Sequence, residues 1–277
     1  MSTSPTQALE ARAALEAHGF WYHSMEVAPG VETNGWFDLR PIVERMPWPD
    51  LSGKRCLEVG PYDGFLSFEM ERRGAAEVVA TDIGSPREWD WPLRSRATGP
   101  ASVAAISGEP TGRGFEIARS LLGSKAERVE ISAYDLSPER LGEFDFVICG
   151  SLMLHLREPV RALEAIRSVC RGRFLSAETI SPALAILHRH KPAARFLGGD
   201  RCQWWIPNPA GHGSMLETAG FQIERAVRPY AIPIGTAHPA HNSRLGAARE
   251  HLMAVPVTRG VGVPHSAILC RPDPQQG

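Results

Sequence analysis

Beginning at Lys54, short apolar runs alternate with amphipathic stretches, and this rhythm restricts the fold more than any other feature of the chain. KRCLEVG (54–60) reads as a first strand and is followed by DGFLSFEMERRG with helical spacing; EVVATDIG (77–84) is a second strand and GFEIARSLLGS a second helix. RVEISAYDL (128–136), FDFVICGSL (144–152) and RFLSAETI (173–180) supply strands three to five, with the helical PVRALEAIRSVC between the last two. FQIERAV and HSAILCRP read as two closing strands. Strands joined by crossover helices pair in parallel and are covered on both faces, so the pattern predicts a doubly wound α/β fold with a seven-stranded, mostly parallel sheet.

Residues 1–50 do not share this rhythm. A helix is expected over 7–17, ending at His18-Gly19, and residues 20–50 are rich in aromatics, proline and glycine, which predicts an ordered aromatic cap without regular elements. The main domain is expected over 51–277, with insertions near 84–112 and 181–211 that leave or rejoin the C-terminal edge of the sheet. Ligands of doubly wound sheets bind beyond that edge, so both insertions are read as a lid or substrate wall.

Composition narrows the partners. With 30 basic against 31 acidic residues, no surface dominated by attraction for nucleic acid is expected. No run approaches the ~18 apolar residues of a membrane span, and the opening residues lack a secretion signal, so a cytoplasmic protein is expected. Five dispersed cysteines, four of them in or beside apolar stretches, read as buried thiols in a reducing compartment, and no metal site is expected. A homodimer is an allowed assembly.

The chemistry concentrates in CLEVGPYDGFLSFE (56–69). Gly60 and Gly64 permit a tight turn between strand and helix and a close approach of ligand to backbone. A dinucleotide site prefers G-x-G-x-x-G, and the absence of G-K-S or G-K-T excludes a P-loop. Glu58, just before the turn, would repel phosphates but can hold an ammonium. A cofactor with a cationic amino-acid end and no phosphates fits. Asp82, ending strand two, can accept both hydroxyls of a ribose; Asp135, placed at the end of strand three, can take an adenine amino group, with Tyr134 as a packing neighbour.

E-V-G-x-x-x-G, the acid after strand two and the aspartate after strand three together resemble class I S-adenosylmethionine-dependent methyltransferases, over about residues 50–180. Their middle glycine is replaced here by Tyr62. WYHSMEVAPGVETNGWFDLRP, LSGKRCLEVGPYDGF, SLMLHLREPVRALEAI and RCQWWIPN ahead of LETAGF are similar to the branch containing the tRNA wobble-uridine carboxymethyl-transferring enzymes. Those enzymes hold a carboxylated cofactor partly through a tyrosine where this chain has Leu154. Leucine cannot hydrogen-bond a carboxylate, so ordinary S-adenosylmethionine, giving S-adenosylhomocysteine, is expected.

The resemblance implies a cofactor set of Tyr22, Glu58, Gly60, Tyr62, Gly64, Asp82, Ile83, Tyr134, Asp135 and Gly150. The implied reaction is methyl transfer to an oxygen or nitrogen of a small-molecule acceptor, possible in secondary metabolism, with His155 as the base that removes a proton. Arg40 and Arg201 are candidate anion clamps, and Arg94 and Arg113 could orient an anionic group. His23, beside Tyr22 in the cap, is expected to close over the cofactor methionine and to bind substrate, and Glu178 to anchor a hydroxyl or amine of the acceptor. Trp204, Trp205 and Asn208 are expected on the acceptor pocket, whose tryptophans suit a flat or apolar acceptor. A tRNA-modifying enzyme, or one using the same cofactor for non-methyl transfer, shares this turn. A nicotinamide oxidoreductase and a non-catalytic binding protein are the remaining alternatives.

Overall fold

A computed structural model of the chain describes residues 5–93, 111–200, 202–239 and 254–276; Arg94, Arg201 and most of the 84–112 connection lie outside them. The first helix, α1 (Pro5–His18), leads into the aromatic cap, which is more regular than the sequence suggests. It holds four short strands: β1 (Trp21–His23), β2 (Glu26–Ala28), β3 (Val31–Glu32) and β4 (Gly35–Phe37). β1 and β4 pair in parallel, β2 and β3 as a hairpin. Gly35 is required there, because a Cβ would lie 2.2 Å from the His23 carbonyl carbon.

The main sheet is built from β5 (Arg55–Val59), β6 (Glu77–Asp82), β7 (Glu127–Glu130), β8 (Phe144–Gly150), β9 (Cys170–Thr179), β12 (Phe221–Ala226), β13 (Tyr230–Ile232) and β14 (Val263–Pro272). Its order is β12-β14-β9-β8-β5-β6-β7, with β13 added on β14, so it has one strand more than expected. β5 to β9 are mutually parallel and β14 is antiparallel to its neighbours. The chain winds outward from β5 through β6 to β7, then returns to β8 and continues the other way. The strand order therefore reverses between β5 and β8, where a doubly wound sheet opens its ligand crevice.

Alternation along the strands divides the core. Phe146, Ile148, Leu175 and Ala177 join the face that carries Met70 of α2 (Phe65–Arg72), Phe115 of α3 (Arg113–Leu122) and the cap's Trp21, Met25 and Val27. Val147, Cys149 and Phe174 face α5 (Pro159–Val169) and α7 (Pro209–Thr218). Leu163, Ile166 and Val169 of α5 are buried, each worth about 1.5–3 kcal/mol of apolar burial. A four-residue helix, α4 (Pro138–Leu141), precedes β8.

The 181–211 insertion forms α6 (Pro182–Leu187) and a hairpin of β10 (Ala194–Asp200) and β11 (Gln203–Pro207), which packs on a 3-10 turn at Met153–His155. The cap is stitched to the far end of the chain: Phe37 bridges Ile234, and the Asp38 N–H donates to the Pro233 carbonyl at 3.0 Å. All five cysteines are buried and unpaired. Among the described residues, no helix is long and apolar enough to cross a membrane, and no group of three or more His, Cys, Asp or Glu is arranged to hold a metal ion.

Candidate functional site

The turn after β5 is left-handed at three positions: Gly60 (φ 76°), Tyr62 (φ 53°) and Gly64 (φ 90°). Gly64 admits no side chain, since a Cβ would meet the Phe115 and Phe68 rings at 2.6 and 2.8 Å. Tyr62 keeps the left-handed backbone although it is not glycine, a conformation that costs about 1–2 kcal/mol. Its ring is held 4.9 Å from Tyr22 and 5.9 Å from Phe20. The missing middle glycine thus leaves the path of the turn intact.

Glu58 is 2% exposed and accepts a hydrogen bond from the Ser67 hydroxyl at 2.5 Å. Burial pushes its carboxyl up to about 7, with His23 and Asp63 as its charged neighbours. Asp82 accepts the N–H groups of Ile83, at 2.9 Å, and of Tyr62, and burial raises it to about 6 against the pull of Arg128. Two carboxyl groups thus flank the turn, and among the described residues neither makes an ion pair within 4 Å, although Arg128 and His23 lie within electrostatic reach. Beside Asp82 lies a cleft lined by Tyr62, Asp63, Trp89, Thr111 and Arg113. Ile83 is half-buried next to Asp82. Gly150 ends β8, where a Cβ would press on Leu66 at 3.3 Å.

Asp63 is the residue that sequence reasoning missed here. Its carboxylate accepts the N–H groups of Tyr22 (2.8 Å) and His23 (2.9 Å) and pairs with His23 Nδ1, fastening β1 to the glycine turn. The available signal was a charged residue inside an otherwise apolar turn. His23 is consequently buried behind the glycine turn, against Asp63 and Phe65, which corrects its expected place among the substrate-binding residues. Burial beside Asp63 and Glu178 raises the Tyr22 phenol well above its ordinary range.

Four further expectations are corrected. β7 ends at Glu130, so Asp135 lies exposed in the turn beyond it, its N–H bonded to the Ser132 carbonyl. Tyr134 donates its hydroxyl to Asp90 at 2.5 Å and accepts the Glu158 N–H at 3.1 Å, which ties it to the lid and away from the turn. Arg40 is paired with Asp38 (2.8 Å) and Glu32 (2.9 Å) on the cap surface, which leaves no free clamp. Asn208 is fully buried: it caps α7 through Gly211 (2.7 Å), accepts Ala193 N–H (3.1 Å), and donates to the carbonyls of His188 and Lys191 (2.7 and 2.9 Å). That saturates its amide, so it holds the 181–211 insertion together and does not face a pocket. Arg201 lies outside the described residues.

On the other side of the crevice, His155 Nδ1 is hydrogen-bonded to the Cys202 carbonyl at 2.9 Å, and Nε2 has no partner among the described residues. A carbonyl only accepts, so Nδ1 carries the proton and Nε2 presents a lone pair. Burial lowers the imidazole's affinity for a second proton. Trp204 donates to the Asp90 carbonyl at 2.7 Å and Trp205 to the Arg157 carbonyl at 3.1 Å, so both indoles pin the hairpin. Glu178, 1% exposed at the end of β9, accepts the Met153 N–H at 3.1 Å through Oε2, while Oε1 has no hydrogen-bond partner among the described residues. Burial pushes this carboxyl up to about 8. The Tyr230 hydroxyl, buried within electrostatic reach of Glu178, likewise has no hydrogen-bond partner among the described residues.

No family model matches the chain. It is 31% identical over 166 residues to a ubiquinone biosynthesis O-methyltransferase of Hahella chejuensis, covering 60% of this chain and 58% of the relative. The enzyme of the same name from Acinetobacter baylyi is 27% identical over 149 residues, covering 49% and 52%. The chain therefore spans between half and three fifths of these curated relatives. Nothing in these comparisons supports the wobble-uridine branch. The crystal structure of the N-terminal domain of EvdMO1, determined in the presence of SAH and D-fucose, aligns over 98% of both chains with a TM-score of 0.53 at 15% identity. The strand order, its reversal beside the glycine turn and this superposition agree: the chain has the Rossmann-like α/β fold of methyltransferases.

Proposed function

We propose that the chain is an S-adenosylmethionine-dependent methyltransferase acting on an oxygen or nitrogen of a small-molecule acceptor. The observation that carries this reading is the pair of carboxyl groups, buried Glu58 and half-buried Asp82, on either side of a left-handed glycine turn. A cationic α-ammonium fits Glu58, where a phosphate would be repelled, and ribose hydroxyls fit Asp82. When bound, S-adenosylmethionine supplies a methyl group activated by its sulfonium. The protein's own contribution is alignment and proton removal. Glu58, Asp82 and the turn backbone bind the cofactor, and Tyr22 covers it from the cap. His155 Nε2 accepts the proton that an O–H or N–H acceptor loses, and the buried Glu178 Oε1 anchors a polar group of the acceptor. The names of the matched relatives favour an oxygen acceptor.

Calorimetric titration tests the reading, with S-adenosylmethionine, its carboxylated analogue and NAD offered separately. Binding of S-adenosylmethionine, with little affinity for NAD, is expected. Binding of NAD alone would overturn the proposal, and preference for the carboxylated analogue would restore the wobble-uridine reading despite Leu154.

A further inference from the structure

A neutral imidazole has a single N–H, and the nitrogen that carries it is set by the nearest acceptor. For His155 that acceptor is not local. It is the carbonyl of Cys202, 47 residues on, at the tip of the β10–β11 hairpin. Cys202 holds a left-handed backbone (φ 58°) and donates its own N–H to the Gly199 carbonyl at 3.1 Å. Its side chain is 1% exposed, packed against Trp91 with Trp89 behind. Two residues further, the Trp204 indole donates to the Asp90 carbonyl at 2.7 Å. Both flanks of the tip are thus seated on residues 89–91.

The loop bearing His155 is fastened to the same place. The Asp90 carboxylate accepts the N–H of Arg157 at 2.8 Å and the hydroxyl of Tyr134 at 2.5 Å, and that hydroxyl accepts the Glu158 N–H at 3.1 Å. One residue therefore grips the hairpin through its backbone carbonyl and the histidine loop through its side chain. We infer that Asp90 and Trp204 are positioning residues for His155: by fixing the hairpin tip against the histidine loop they hold the Cys202 carbonyl on Nδ1 and keep Nε2 unprotonated toward the acceptor. Neither residue touches a reacting atom. The inference rests on the reading of His155 as proton acceptor, but the arrangement it describes exists without cofactor or acceptor.

Nitrogen-15 NMR of imidazole-labelled protein reads the tautomer directly, with His155→Gln identifying the resonance. Wild type should show a protonated Nδ1 and an unprotonated Nε2 for His155. Trp204→Phe removes the hairpin's bond to Asp90, and Asp90→Ala releases the histidine loop. Each should move the proton wholly or partly to Nε2 while affinity for S-adenosylhomocysteine stays within about twofold. Retention of the Nδ1–H form in either folded variant would overturn the inference, as would an Nε2–H form in wild type; if one variant does not fold, the other decides. Failure of the methyltransferase reading would show instead as absent cofactor binding, with the wild-type tautomer unchanged.

Discussion

Titrating Glu58 offers the sharpest check on the cofactor site. Burial raises its carboxyl from an ordinary 4.5 to about 7 in the free protein. A bound ammonium favours the ionised form, so binding below pH 7 must expel the proton. About 1% of Glu58 is ionised at pH 5 and about 90% at pH 8, so affinity should rise roughly 90-fold between them, or about 2.7 kcal/mol, and level off above pH 7. Calorimetry with S-adenosylhomocysteine, which keeps the ammonium, measures this, and parallel runs in buffers of different ionisation enthalpy count the proton released. Asp82, at about 6, adds to the rise below its own midpoint, so Glu58→Gln should flatten the upper part of the curve and lower affinity at pH 8. The same substitution tests the sign on folding. A raised carboxyl imposes no penalty below pH 4.5; the penalty grows as pH climbs to 7 and is then constant, at about 3 kcal/mol or less. Glu58→Gln should therefore stabilise the free protein at pH 8 and leave it unchanged at pH 4. An affinity that is flat from pH 5 to 8, or proton uptake on binding, would refute the placement of the ammonium at Glu58.

Asp63→Ala strips the buried His23 N–H, the part-buried Tyr22 N–H and the His23 imidazole of their partner, which should lower unfolding free energy by about 3–5 kcal/mol in a denaturant titration. Unaltered stability would mean that the cap is held by packing alone. Asn208→Ala removes four hydrogen bonds inside the 181–211 insertion and should loosen residues 188–193 by about 1–3 kcal/mol, seen as faster proteolytic cleavage there with the sheet intact; an unchanged cleavage rate would refute it.

The sheet was legible because β5, β8 and α5 are long enough for their periods to be counted, and Asp82 was legible because it closes an apolar strand. The reach of β7 was not. Ile131 and Ala133 are buried, so apolar alternation continues past Glu130 even though the backbone has turned, and this carried Asp135 onto a strand end it does not occupy. The cap strands are two or three residues long, too short for periodicity to register, and they exist through pairing and through Asp63. That aspartate's partners lie 40 and 41 residues earlier, a relation no local pattern carries. Asn208 before Pro209 did carry a local signal, that of a helix N-cap with proline in the first turn, and it outweighs the acceptor-facing role expected of it. The burial of Glu178 Oε1 without a hydrogen-bond partner among the described residues is visible only once every neighbour is in place.

The stitch between β4 and residues 233–235 has a kinetic side. The cap leaves the ribosome ahead of its anchors: Asp63 follows His23 by 40 residues, and the carbonyl of Pro233 comes later still. Contacts this distant along the chain close slowly, because the loop entropy must be overcome before they form. The parallel core of β5 to β9 can pair before its cover is seated, whereas β14, which completes the sheet, is made after Pro233. The cover that Tyr22 contributes over the glycine turn is thus seated later than the parallel core, and a newly made chain pairs β5 to β9 before the cap closes on it.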